Sequence, residues 1–277
     1  MNALELKNVC KRYNSFSLEN VGFTLPAGYI MGFIGENGAG KTTTIKAILG
    51  LVHSEGDINV LGREKAEITA VKEHIGVVLE EATFPDQLNA KDIDGILGGV
   101  YKTWDKNRFQ GFIRRFGLDA KKKVKEYSRG MKMKLSMAVA LSHDSRLLIL
   151  DEPTSGLDPV VREEVLDMLL EFIQQPDRAV LISSHIISDL ERICDYITFI
   201  HQGRILFSKS KEELAEDYGI LRCGEAELRA LPREAVLGVR RNQFGCEALV
   251  KRALAQGRAL EKAGIEETMV LMIKGVN

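Results

Sequence analysis

Apolar and polar residues alternate along the first stretch of the chain: Leu4, Leu6 and Val9, then Leu18, Val21, Phe23 and Leu25. A period of two puts such residues on one face of an extended backbone, so short antiparallel strands are expected, broken at Tyr13-Asn14 and at Pro26-Ala27-Gly28. Residues 29–34 form a compact apolar run leading into Gly35, which suits a buried strand. A helix is expected from Lys41 to about Leu51, and another short strand over 57–60, before Gly62.

From about 84 to 130 the period becomes helical. Phe109, Phe112, Ile113 and Phe116 fall at i, i+3, i+4 and i+7, one apolar stripe that reads as core packing. Asn89, with Asp92 three residues on, marks a helix start. Two further apolar runs, 147–150 and 179–182, flank a helical segment over 160–172. Strands alternating with helices indicate βαβ units and a parallel sheet, hence an α/β fold. The runs 197–200 and 205–207, joined through Gln202-Gly203, read as a terminal hairpin. Beyond about 220 no motif stands out. That stretch mixes Gly, Pro and many Arg and Lys with short apolar groups such as 269–273, and is expected to form a small C-terminal appendage. No internal repeat is visible.

Composition narrows the function. The 277 residues suffice for one large domain, or one domain with an appendage, and 45% hydrophobic with 28% charged residues is ordinary for a soluble globular protein. A formal net charge of −1 argues against a general binder of nucleic acid. Cys10, Cys194, Cys223 and Cys246 are scattered with no Cys-x-x-Cys pair, which favours reduced thiols in a cytosolic protein over a disulfide framework or a metal site. The N-terminus is charged by its fifth residue and has no apolar signal core, and no stretch reaches the ~18 apolar residues of a spanning helix. Work at a membrane would need a partner to supply the membrane part.

The chemistry sits in two segments. Gly35-Glu-Asn-Gly-Ala-Gly40-Lys41-Thr42 fits the phosphate-loop pattern Gly-x-x-x-x-Gly-Lys-Ser/Thr, between an expected strand and an expected helix. Its glycines Gly35, Gly38 and Gly40, with Asn37 between them, let backbone N–H groups turn toward phosphate oxygens, and the helix N-terminus adds positive potential. Lys41 is expected to reach the β- and γ-phosphates, the Thr42 hydroxyl to ligate Mg²⁺, and Thr43 to donate to the α-phosphate. The second segment, Leu147-Leu-Ile-Leu-Asp151-Glu152, delivers two carboxylates at the end of a buried strand, where phosphoryl-transfer proteins hold metal and water. Asp151 is the candidate for Mg²⁺, and Glu152 for polarising the attacking water.

With Tyr127-Ser128-Arg129-Gly130-Met131 ahead of an amphipathic helix, and Ser183-Ser184-His185 closing a strand, the chain resembles the nucleotide-binding subunit of an ABC transporter. The resemblance runs from about Leu4 to Ser208: the Walker A loop, a Q-loop position at Glu80, the signature at 127–131, Walker B at 147–151, Glu152, the D-loop Ser155-Gly-Leu-Asp158 and the switch His185. It implies a P-loop NTPase cassette with a RecA-like parallel-sheet core, an N-terminal antiparallel β-subdomain, a helical subdomain at about 82–142, and an ABC domain over 1–219 followed by an appendage over 220–277. It implies ATP and Mg²⁺ as ligands, catalytic roles for Lys41, Glu152 and His185, metal contact by Thr42, Asp151 and Glu80, and stacking of Tyr13 on adenine. Ser128 and Gly130 are expected to contact the γ-phosphate held by a second cassette, and Asp158 to link the two sites. Hydrolysis then needs two cassettes head to tail, most simply a homodimer.

Two departures stand out. Glu80 replaces the family's glutamine and adds charge beside Asp151 and Glu152. Arg129 replaces a signature glycine, and either lies near nucleotide or points to solvent. The signature form and the appendage resemble bacterial exporters with separate ABC-2-type permeases, which implies a cytoplasmic chain held on the inner face of the membrane by its permease. The segment around Thr83-Phe84, and on to Val100-Tyr101, is where the family forms a groove for a permease helix. The appendage is read as regulatory, as a cap on the sheet, or as a dimer contact, the last favoured slightly. A soluble ABC-type ATPase acting on ribosomes or DNA, and a regulatory cassette, are the competing readings. A single cassette without basic arms weakens the first, and Glu152 with His185 weakens the second.

Overall fold

The computed structural model describes residues 1–79, 84–243, 245–255 and 257–274. They form two compact units, Met1–Ser208 and Lys209–Asn277.

The first unit opens with two antiparallel strands, β1 (Asn2–Arg12) and β2 (Ser17–Pro26), longer than the short strands expected. Leu6 to Val9 and Leu18 to Val21 are odd spacings that ought to turn an apolar residue outward. Asn8 and Asn20 take left-handed backbone within those intervals, at φ of 50° and 51°. Asparagine tolerates this conformation, and a register shift between Leu6 and Val9 goes with the first of them. All four apolar residues are therefore buried, and the strands continue through the irregularity.

After β3 (Ile30–Ile34), helix α1 (Lys41–Ile48) stops short of Leu51. Gly50 has φ +69°, and the N–H groups of Leu49, Gly50 and Leu51 bond back to the last helical carbonyls, a left-handed helix stop. Strands β4 (Glu55–Val60) and β5 (Arg63–Glu64) complete an antiparallel sheet in the order β2-β1-β4-β5.

The remaining elements of this unit are β6 (Ile75–Val78), α2 (Ala90–Val100), α3 (Lys106–Arg115), α4 (Arg129–Ala140), β7 (Leu147–Asp151), α5 (Pro159–Phe172), β8 (Ala179–Ser183), α6 (Ile187–Ile193), β9 (Tyr196–His201) and β10 (Arg204–Ser210). The second sheet has the order β10-β9-β3-β8-β7-β6. Strand β3 runs parallel to β8 and β9, and β7 parallel to β6 and β8. Every residue of β3, β7 and β8 is buried, as strands covered on both faces must be. One apolar cluster joins the antiparallel sheet through Leu4, Leu6 and Phe23 to Ile45 of α1 and to Phe33, Ile149 and Leu181 of the parallel sheet.

The helical stretch has its own core, in which Phe109 and Ile113 of the expected stripe pack with Ile93, Tyr127 and Leu135. Asn89 starts α2 with a reciprocal cap: its side chain accepts from the N–H groups of Lys91 and Asp92, while Asp92 accepts from the Asn89 N–H. Gln202 and Gly203 join β9 to β10 with both φ positive, at 45° and 76°, as a two-residue hairpin turn requires. Among the described residues no helix is long and apolar enough to cross a membrane.

The second unit is more regular than an unpatterned appendage. It holds α7 (Lys211–Asp217), β11 (Tyr218–Cys223), α8 (Glu225–Arg229), β12 (Val236–Asn242), β13 (Gly245–Lys251), β14 (Glu261–Lys262) and α9 (Ile265–Lys274), with an antiparallel sheet ordered β12-β13-β11-β14. It begins at Lys209, earlier than the boundary near 219, because Ser210 caps α7 and α7 packs on β11 within the same unit. Leu221, Cys246 and Val250 belong to a cluster on one face of this sheet, and Ile220 and Leu249 pack with Leu271 of α9 on the other.

Candidate functional site

The C-terminal ends of β3, β7 and β8 lie side by side in the parallel sheet, the usual place for ligands in such sheets. From β3 the chain turns through Gly35–Gly40 into α1. Gly40 takes φ +115°, and a Cβ there would stand 2.6 Å from Leu18 Cδ2, so only glycine fits between the loop and β2. Lys41, the first residue of α1, is 7% exposed. Its ammonium donates to the carbonyls of Gly35 (2.8 Å) and Glu36 (3.4 Å) and lies 3.5 Å from Glu152 Oε1, so the cation is held across the mouth of the loop.

Strand β7 brings the carboxylates. Thr42 Oγ1 donates to Asp151 Oδ2 at 2.8 Å, and Ser183 Oγ donates to Asp151 Oδ1 at 2.5 Å. Ser183 stands directly opposite Asp151 in the β7–β8 register. Its hydroxyl also accepts from the Glu152 N–H at 3.0 Å. Glu152 leaves the strand in left-handed backbone with φ 52°. Its Oε2 pairs with His185 Nδ1 at 2.6 Å and accepts from the His185 N–H at 3.3 Å. Lys41, Glu152 and His185 therefore form one chain of contacts, and Thr42, Asp151 and Ser183 a second, joined where Ser183 meets Glu152. Residue-type reasoning assigned nothing to Ser183. Its signal was the strand-end position facing Asp151, which only the strand pairing reveals.

A cavity of about 430 Å³ opens over this hub, lined among others by Lys41, Thr42, Thr43 and Glu152. It shares Ser15, Phe16, Glu36, Asn37 and Gly38 with a second cavity of about 560 Å³ that extends to Arg12, Tyr13 and Gln202. Together they make a trough from Glu152 to the exposed Tyr13 ring, over which Lys11 Nζ sits at 5.1 Å from the centroid. Arg12 and Phe16 were not singled out from sequence, and Gln202 was read only as part of a hairpin turn. Their chemistry is unremarkable until the turn at 13–16 and the β9–β10 turn bring them to the loop.

Ser128, Gly130 and Asp158 line neither cavity. Ser128 caps α4, accepting from the Met131 N–H at 3.3 Å, and Asp158 caps α5, accepting from the N–H groups of Val160 and Val161 at 3.1 Å. Glu80 and Thr83 lie outside the described residues. Among the described residues no group of three or more His, Cys, Asp or Glu is placed to hold a metal alone. The hard oxygens of Thr42 and Asp151 fit a Mg²⁺ ion that takes its other ligands from water and phosphate, which is how that ion is commonly held in phosphoryl-transfer sites.

The ABC transporter family model matches residues 18–155. An uncharacterized ABC transporter ATP-binding protein of Bacillus subtilis (strain 168) is 37% identical over 209 residues, covering 73% of this chain and 68% of that protein. A lantibiotic transport ATP-binding protein of Streptococcus pyogenes is 36% identical over 214 residues, covering 74% of this chain and 90% of that protein. Among solved structures, an ATP-binding subunit of an ABC transporter superposes with a TM-score of 0.71 at 28% identity, covering 76% of this chain and 91% of that one. With the phosphate loop, the paired carboxylates and the parallel-sheet core in this arrangement, the chain belongs to the ABC transporter family, as an ATP-binding subunit that hydrolyses ATP.

Proposed function

We propose that the trough holds Mg-ATP with adenine on Tyr13, the phosphates along residues 35–43, and the γ-phosphate between Lys41 and Glu152. The observation that carries this reading is the joined hub, in which Glu152 touches both Lys41 and His185 beside the Thr42–Asp151 pair. Lys41 exchanges its carbonyl partners for β- and γ-phosphate oxygens, and Thr43 donates to the α-phosphate. When bound, Mg²⁺ supplies charge neutralisation between the phosphates, held at Thr42 and Asp151, with Glu80 as a further ligand. Glu152 takes the proton of the attacking water as the bond from the γ-phosphorus to the leaving ADP oxygen breaks. His185, bonded through Nδ1 to Glu152, orients that carboxylate and presents Nε2 to the γ-phosphate.

The signature surface completes the site in trans. Ser128 Oγ is occupied as an acceptor by its own helix but retains a proton to donate, which suits a γ-phosphate held by a second copy of the chain. Gly130 lets that phosphate approach the α4 N-terminus, and Asp158 links the two sites across a head-to-tail homodimer. An ABC domain over about 1–208 does this work, with the second unit, from Lys209 onward, adding to the dimer contact. The dimer drives export through a separate ABC-2-type permease and so lies on the cytoplasmic face of the membrane. Support comes from the transport name of a relative and from the lack of a spanning helix among the described residues.

Glu152→Gln tests the core of the proposal. Turnover should fall by roughly 10²–10⁴-fold while ATP binding persists, and an ATP-dependent dimer should accumulate in size-exclusion chromatography. Hydrolysis at the parental rate would remove Glu152 from the base role. Membrane association that survives deletion of the partner permease would sink the transport arrangement.

A further inference from the structure

Arg129 stands where the family pattern has glycine, and sequence reasoning left it either near nucleotide or in solvent. In the structure its guanidinium lies against the loop between β7 and α5. A Cβ built on Gly156 would be 2.8 Å from Arg129 Nη1, 3.0 Å from Cζ and 3.4 Å from Nε. The loop is open toward the arginine at that point because Gly156, at φ +66°, carries no side chain.

Two neighbouring contacts run in the same direction. A Cβ on Gly130 would meet Val161 Cγ1 at 3.5 Å, and Lys134 Nζ pairs with Glu164 Oε2 at 2.5 Å. The start of α4 thus runs beside the 156–164 segment, with Lys134 and Glu164 pairing between the helices. That segment is internally hydrogen-bonded. Ser155 N–H donates to the Glu152 carbonyl at 3.2 Å, Leu157 N–H to the Thr154 carbonyl at 3.3 Å, and Asp158 caps α5. A displacement of Gly156 therefore reaches Glu152 through one hydrogen-bonded turn.

We infer that Arg129 is a positioning residue that braces the Gly156 turn and so holds the backbone of Glu152, coupling the start of α4 to the hydrolytic carboxylate of the same chain. The inference rests on the proposed role of Glu152. A planar, weakly hydrated guanidinium suits this packing against peptide groups, and a glycine at 129 could not provide it. The side chain is exposed, so its removal is read in turnover rather than in folding.

The test is steady-state ATPase of the purified full chain at several protein concentrations, with nucleotide affinity and thermal unfolding measured beside it. Arg129→Ala should lower kcat by about tenfold, as loss of positioning does, with KM and nucleotide Kd within about twofold of the parent. Arg129→Lys, whose stem can still cover Gly156, should recover at least about a third of the lost rate. Parental kcat in Arg129→Ala would overturn the brace. A raised KM at unchanged kcat would overturn it too, by making Arg129 a direct phosphate contact. If the alanine variant unfolds near assay temperature, Arg129→Gln is read by the same criteria. Glu152→Gln is assayed in parallel: its retained hydrolysis would remove the base assignment whatever Arg129 does, whereas parental kcat in Arg129→Ala removes the brace and leaves Glu152 in place.

Discussion

Lys41, Asp151 and Glu152 are 7%, 2% and 7% exposed, and each is already paired with a neighbour, whereas Ser128, Arg129 and Asp158 stand exposed at the starts of two helices. The first group is ordered by the fold of a single chain: strand register sets Ser183 against Asp151, and the hub closes from there. In the second group Ser128 and Asp158 carry capping oxygens whose acceptor capacity is used locally, and neither lines the two cavities of the trough. The difference teaches a division of labour. In the proposed arrangement, nucleotide binding is prepared within one protomer, while hydrolysis draws on a surface that a second protomer encloses.

The largest expected effect sharpens the buried side of that comparison, the loss of roughly 10²–10⁴-fold in turnover by Glu152→Gln with binding preserved. On the exposed side, Ser128→Ala should lower ATPase by about tenfold or more, as loss of one transition-state donor does. Nucleotide affinity of the dilute chain should stay at the parental value in a fluorescence titration, and a weakened affinity there would break the division between the two surfaces. Ser183→Ala removes a partner from both Asp151 and Glu152. It should lower unfolding stability of the nucleotide-free chain by about 1–3 kcal/mol in urea. An unchanged midpoint would mean that the hub is assembled by ATP rather than by the fold.

The smallest effect is expected away from both surfaces. His143 is buried, stacks on Tyr101 at 4.2 Å and donates through Nδ1 to the Glu73 carbonyl. Burial holds its pKa below the ordinary value. The unfolded chain then binds the proton more readily, so this contribution is complete above about pH 6.5 and is lost as pH falls toward and through the folded pKa. His143→Gln should flatten the acid side of a stability–pH profile, whereas the Ser128 variant should keep the parental slope.

Much of the nucleotide machinery could be located from sequence because glycine, lysine and carboxylate spacings within short segments carry it. Helix α2 was legible through Asn89 and Asp92, and the β9–β10 hairpin through Gln202-Gly203. Strand β6 was not, since residues 75–78 are too short to separate from a loop by period alone. The second unit showed no motif for a related reason. Residues 246–250 of β13 are buried on both faces of the sheet, so apolar and polar positions do not alternate there, and Glu247 sits among them. Its carboxylate is held by Arg222 and Arg240 from the strands on either side, a partnership no local pattern announces. Arg129 was ambiguous because its neighbour, Gly156, is distant in sequence.

The left-handed backbone of Glu152 has a consequence for how such a chain can change over generations. A non-glycine residue in that conformation costs about 1–2 kcal/mol, here offset by the bonds from Ser183 and His185. Glycine at 152 would remove the strain together with the carboxylate, so surrendering hydrolysis could leave the fold no less stable. On the role proposed for Glu152, selection for turnover rather than for folding is what favours glutamate at this position. A lineage released from that selection would be free to drift into a cassette that still grips ATP and no longer lets it go.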